Sequence, residues 1–129
     1  MEEVRILIVE DEAIVSLEIQ LRLKSMGYNV CGICSSGEKA LELAEKTRPN
    51  LILMDIKLKG QMNGIEIADI IKDKYLIPSI FITAFSDEGT FQQIKTSRNR
   101  NLLLKPLREE ELKEAITKIL SSNNYINSD

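Results

Sequence analysis

Five short runs of Ile, Leu and Val punctuate the chain, at residues 4–9, 29–34, 51–55, 79–83 and 101–105. Segments such as Ile6-Leu7-Ile8-Val9 and Leu51-Ile52-Leu53-Met54 are apolar at consecutive positions rather than alternate ones. Runs of that kind suit strands covered on both faces. The stretches between them are long enough for helices. Strands alternating with helices predict an α/β fold, with five parallel strands joined by right-handed helical crossovers. The chain shows no internal repeat and no low-complexity segment.

Local signals place the helix ends. Ser35 followed by Glu38 reads as a capping box opening the second helix, and Asn63 followed by Glu66 offers a similar start to the third. Gly27 suits a left-handed C-cap closing the first. Pro49 stops the second helix and Pro78 precedes the fourth strand, and neither interrupts an apolar pattern. The last helix carries one apolar stripe of Leu112, Ala115, Ile116, Ile119 and Leu120. The first helix carries two. Val15, Ile19, Leu23 and Met26 are assigned to the core. Ala13, Ile14, Leu17 and Leu21 lie nearly opposite, which leaves Leu17 and Leu21 partly exposed; a wide buried face shared with the last helix is the competing arrangement. Residues 1–121 are expected to form one domain, and residues 122–129 a polar tail or the start of a linker.

Composition narrows the function. The 129 residues include 17 Lys and Arg against 20 Asp and Glu, a net charge of −3. A protein whose main partner is a nucleic-acid backbone normally carries the opposite sign, so no nucleic-acid contact is expected through this domain. The chain has no His, which excludes His general bases, Ser-His and Cys-His pairs and His-ligated metals. No apolar run reaches the length of a membrane span, and Met1-Glu2-Glu3 is acidic where a signal peptide is basic. A cytoplasmic protein with no membrane partner is the expectation.

The chemistry gathers where predicted strands end, which is where open parallel sheets hold their ligands. The first strand ends in Glu10-Asp11-Glu12, the third in Asp55, the fourth in Thr83 and the fifth in Lys105-Pro106. If the first and third strands are neighbours, Glu10, Asp11 and Asp55 converge, and like charges that close need a cation. Lys105 is one candidate. A hard divalent ion such as Mg²⁺ is the other. A carboxylate is a usable nucleophile toward phosphorus. A transferring phosphoryl group needs its charge neutralised on several sides, which Mg²⁺, the Lys105 ammonium and the Thr83 hydroxyl can do. Ordinary loop acids are the plain alternative for Glu10 to Glu12. It suits Asp55 and Lys105 poorly, because both end apolar strands at depths where an unpaired charge is costly.

These residues carry a resemblance. The segments 6–12, 51–55, 80–84 and 103–106 (ILIVEDE, LILMD, IFITA and LLKP) occur in order, each ending a predicted strand. Over residues 4–120 the chain resembles the receiver domain of two-component response regulators. The resemblance implies a three-layer (βα)₅ flavodoxin-like sandwich with sheet order 2-1-3-4-5. It implies Asp55 as phosphoacceptor, Glu10 and Asp11 as the acidic pair for Mg²⁺, and the Lys57 carbonyl as a further metal ligand. Thr83 is then the switch hydroxyl, Ala84 the small residue beside the phosphate, and Lys105 the phosphate-binding cation. The function implied is a phosphorylation-controlled signalling switch, not an enzyme with turnover, that promotes its own phosphotransfer and dephosphorylation. Its partner is a sensor histidine kinase or a histidine phosphotransfer protein, with a downstream effector or a second copy as further partners. A cis Lys105-Pro106 bond is also implied.

Two departures stand out. Many receivers carry an aromatic three residues before the Lys, where this chain has Leu102, so an aromatic rotamer switch is excluded there. The segment after Asp55, residues 56–64, looks one residue longer than usual and lacks the common Pro. A receiver-shaped interaction module that does not use phosphate is the alternative function. A flavodoxin-like electron carrier is disfavoured because Glu10-Asp11-Glu12 stands where a phosphate-binding loop is needed. An Asp-based phosphatase is disfavoured because Lys57 stands where a second Asp is needed. Cys31-Gly32-Ile33-Cys34 matches a redox motif, but it falls inside a strand. Residues three apart in a regular strand point to opposite faces, so two packed cysteines are expected.

Overall fold

The computed structural model describes residues 3–58, 63–83 and 101–128, with those after residue 121 described as backbone only. Five strands form one parallel sheet: β1 (Arg5–Val9), β2 (Asn29–Cys34), β3 (Leu51–Asp55), β4 (Ser79–Thr83) and β5 (Leu102–Leu104). Their order across the sheet is β2-β1-β3-β4-β5, as the resemblance implies. The described helices are α1 (Ala13–Ser25), α2 (Gly37–Thr47), α3 (Gly64–Tyr75) and α4 (Glu109–Ser128). The helix expected between β4 and β5 falls on residues outside the described ones. The polar segment after residue 121 continues the backbone of α4 as far as Ser128.

The apolar runs are buried because both faces of the sheet are covered. Along β1, Leu7 and Val9 pack toward α2 and α3, while Ile6 and Ile8 pack toward α1 and α4. β3 divides in the same way, Ile52 and Met54 to one side and Leu51 and Leu53 to the other. The three inner strands are almost wholly buried, whereas edge strand β2 is mostly half-buried. The expected α4 stripe is met, with Leu112, Ile116 and Ile119 buried. So is the assignment of α1: Ile19 and Leu23 are buried, with Val15 and Met26 packed against the same core. Ile14, Leu17 and Leu21 are 82%, 54% and 60% exposed.

Helix ends follow the capping rules with one shift. Asn63 caps α3, its Oδ1 accepting from the Glu66 N–H at 2.9 Å. Gly27, at φ 91°, closes α1 as expected, and the Tyr28 N–H donates to the Leu23 carbonyl in the six-to-one bond of a Schellman turn. The cap of α2 is Ser36, not Ser35; its Oγ accepts from the Lys39 N–H at 3.2 Å. The helix starts where Gly37, Ala40 and Ala44 face the sheet, and that packing moves the cap one residue on.

The relation between the two cysteines also differs from expectation. β1 and β2 slip register between Ile6 and Leu7, so that Ile6 pairs with Val30 and Leu7 with Gly32. Cys31 is the extra residue of a bulge. The bulge breaks the two-residue alternation, and Cys31 and Cys34 both pack on the α2/α3 side. Both are free thiols.

Candidate phosphoacceptor site

Parallel register brings the strand ends together. Val9 pairs with Met54, Asp55 with Ile82 and Thr83 with Leu104. The residues that follow β1 and β5 therefore meet the last residues of β3 and β4 at one edge of the sheet. Glu10, Asp55 and Thr83 are all but fully buried there, Asp55 being 4% exposed. Asp11 is half-buried, and Glu10, Asp11 and Asp55 each offer a carboxylate oxygen within 4.8 Å of the others. Lys105 Nζ lies 2.8 Å from Glu10 Oε1, 3.4 Å from Asp55 Oδ2 and 4.0 Å from Glu12 Oε1. The Lys105 N–H donates to the Thr83 carbonyl at 2.9 Å, continuing the β4–β5 ladder one residue past the strand. The Lys105-Pro106 peptide is cis, as expected.

Two neighbouring N–H groups orient the carboxylates. That of Lys57 donates to Asp55 Oδ1 at 3.1 Å, and that of Glu12 to Glu10 Oε2 at 3.1 Å. Glu12 itself occupies the N-cap of α1 without a side-chain capping bond. The sequence offered no more than an ordinary loop acid there, and its approach to Lys105 carried no sequence signal. The Lys57 side chain points to an exposed position. Ala84 lies outside the described residues. Leu102, where many receivers carry an aromatic, packs partly buried against the α2/α3 core.

The electrostatics are those of crowded acids. Burial, together with a hydrogen bond and the charge of Glu10, pushes the Asp55 carboxyl up to about 7, against the opposing pull of Lys105. Burial also disfavours charge on Glu10, but hydrogen bonds with Asp55, Lys105 and the Glu12 N–H together hold it below the usual carboxylate range. Burial works against charge on Lys105 too, yet Glu10 and Asp55 raise its pKa. One ammonium thus serves two buried carboxylates, and the pair keeps a proton up to about neutral pH. An all-oxygen donor set with surplus negative charge fits a hard divalent cation that keeps several waters.

Beside the site, a cleft of about 300 Å³ separates α1 from the β5–α4 connection, with Val15, Ile19, Arg22, Lys105 and Leu107 among its walls. The exposed Ile14 and Leu21 sit about 40° and about 60° further round α1 from Glu18, which lines the same cleft. No described helix is long and apolar enough to cross a membrane.

A doubly wound parallel sheet carries an aspartate, two further acids, a buried hydroxyl and a lysine at its C-terminal edge, the place where folds of this class gather their ligands. The model of the response regulator receiver domain matches residues 6–117, and the chain belongs to that family. The transcriptional regulatory protein PdtaR of Mycobacterium tuberculosis is 34% identical over 112 residues, 87% of this chain and 54% of its own length. The phyllosphere-induced regulator PhyR of Methylorubrum extorquens is 34% identical over 83 residues, 64% of this chain and 31% of its own. The signal receiver domain of a modulated diguanylate cyclase from Desulfovibrio desulfuricans superposes with a TM-score of 0.89 at 32% identity, covering 96% of this chain and 98% of that one. The chain spans about half the length of PdtaR.

Proposed function

We propose that the chain, through residues 1–121, is a phosphorylation-controlled switch that accepts a phosphoryl group on Asp55 from a phosphohistidine. The observation that carries this reading is the buried Asp55 carboxylate held at one edge of the sheet with Lys105 at 3.4 Å and Glu10 and Asp11 within ligand-sharing reach. An Asp55 oxygen attacks phosphorus, the bond to the donor imidazole nitrogen breaks, and that nitrogen leaves with the electron pair. Asp55 enters the reaction ionised, the form that predominates above about pH 7 and that a bound cation would favour at lower pH. The Lys57 N–H, bonded to Oδ1, holds the carboxylate so that Oδ2, the oxygen nearer Lys105, serves as the attacking atom. The Lys105 ammonium takes part of the charge on the phosphoryl oxygens and the Thr83 hydroxyl serves another, while Ala84 is the small residue that leaves access to the phosphate. Glu10, Asp11, Asp55 and the Lys57 carbonyl would hold Mg²⁺, which when bound supplies charge neutralisation between carboxylate and phosphate.

The partner proposed is a sensor histidine kinase or histidine phosphotransfer protein, docked by a helix against Ile14, Leu17 and Leu21. Supporting this are the exposure of those three side chains and the place of Ile14 and Leu21 next to Glu18, which lines the cleft that reaches Lys105. Magnesium and acetyl phosphate followed by intact mass test the central claim. We expect a gain of one phosphate in the wild type and none in Asp55→Asn. An unlabelled wild type would leave an interaction module that does not use phosphate.

A further inference from the structure

Gly64 opens α3 against the end of β3. Its φ is not in the left-handed region, so conformation does not demand glycine there. Space does. A Cβ at this position would collide with the Asp55 carbonyl oxygen, and would lie 2.9 Å from Met54 Cγ and 3.0 Å from Ile56 Cα. The Met54 side chain can yield, but the other two atoms are backbone. They cannot yield without disturbing β3, which pairs with β1 on one side and β4 on the other. The Ile56 N–H is also tied to the Ile82 carbonyl at 3.1 Å. The Gly64 N–H in turn donates to the Ile56 carbonyl at 3.1 Å, so the first turn of α3 and the residue after Asp55 clasp each other directly. That clasp sits one residue from Lys57, whose N–H orients Asp55 Oδ1.

We propose that Gly64 is a positioning residue for Asp55, a role that rests on Asp55 being the phosphoacceptor. The lack of a side chain lets α3 press on the Asp55–Ile56 backbone, and that contact fixes the carboxylate and the Lys57 peptide together. A methyl group would drive α3 outward, open the Gly64–Ile56 bond and release Lys57 from its place. Misplacement of about 1 Å in such a site costs up to about 100-fold in rate.

The test compares wild type, Gly64→Ala and Ile71→Val, the last a mild truncation in the buried face of the same helix. Three readouts are taken well below the melting temperatures: the backbone amide resonance of Lys57, its titration with Mg²⁺, and the rate of phosphate gain from acetyl phosphate. For Gly64→Ala we expect a displaced Lys57 amide already without metal, a Mg²⁺ half-saturation raised about tenfold and labelling slowed about 10- to 100-fold. Ile71→Val should match wild type within about twofold in all three. Wild-type values for Gly64→Ala overturn the proposal. So does a Gly64→Ala chain that fails to fold, since glycine would then be required by the fold rather than by the site. If wild type takes no phosphate while Gly64→Ala still displaces the amide and weakens Mg²⁺ binding, the phosphoacceptor reading falls and the positioning of Asp55 stands.

Discussion

Leu76 ends α3 at φ 59° and ψ 33°, with its N–H donating to the Lys72 carbonyl and 76% of its surface in water. A side chain in that left-handed conformation costs about 1–2 kcal/mol, and little burial offsets it here. Leu76→Gly should raise stability by about 1 kcal/mol, read as a rise of about 4 °C in melting temperature. Leu76→Ala should give no such gain, because alanine meets the same steric cost; an equal gain in both would refute the conformational account. Arg48, at φ 46°, is the contrasting case. Its guanidinium lies 4.4 Å from the centre of the Tyr75 ring and its Nε–H donates to the Glu45 carbonyl, so the side chain supplies interactions that glycine would forfeit. Residues of this kind mark the boundary of what sequence reveals. Asp55 and Lys105 were legible because a charge ending an apolar run demands a partner. Gly64 and the Cys31 bulge were not, because each requirement arises only when one segment meets another; nor was Leu76, because leucine at a helix end carries no signal for a left-handed backbone.

At the scale of elements, α1 was the most informative and the least decided. Two opposed apolar stripes were visible in its sequence, but periodicity alone could not say which one met the sheet. Packing of Ile19 and Leu23 against β1 and β3 settles it and leaves the other stripe in water. The start of α2 shows the same limit on a finer scale. Ser35 and Ser36 both suit a cap, and only the placement of Ala40 and Ala44 selects between them. The exposed stripe gives a test of partner docking. Leu17→Glu should slow phosphotransfer from a cognate kinase about tenfold or more, since a charge then replaces an apolar contact at the interface. Labelling by acetyl phosphate, which needs no docked helix, should stay at the wild-type rate. Equal slowing of both reactions would mean that the substitution acts on the site itself.

Across the whole molecule, the order of strands determines which residues become neighbours. β1 and β3 lie side by side although α1, β2 and α2 separate them in the chain, and this brings Glu10 to Asp55. Folding therefore changes the proton affinity of Asp55. The unfolded carboxyl releases its proton near pH 3.9, whereas the folded one, buried beside Glu10, keeps it up to about 7. Its contribution to stability is full below about pH 4 and vanishes as the pH rises through about 7. In chelator, urea unfolding should show a loss of about 1 kcal/mol between pH 6 and pH 8. Glu10 moves the other way, its contribution being lost only in acid, outside that window. Asp55→Asn should remove the slope; a wild-type curve parallel to that of the variant would contradict the burial account. Millimolar Mg²⁺ should reverse the slope, because the ion binds the ionised carboxylates.

The bulge in β2 has a consequence for the protein in a crowd of its own copies. A parallel sheet left open at its margin offers a row of unpaired N–H and C=O groups, a template on which another chain can add a strand. β2 is one margin of this sheet and β5 the other. β5 is only three residues long. β2 is twice that, but the extra residue at Cys31 kinks it and interrupts the even spacing that an incoming strand would have to match. The slip that places two thiols on one face therefore also makes β2 a poorer template for an added strand.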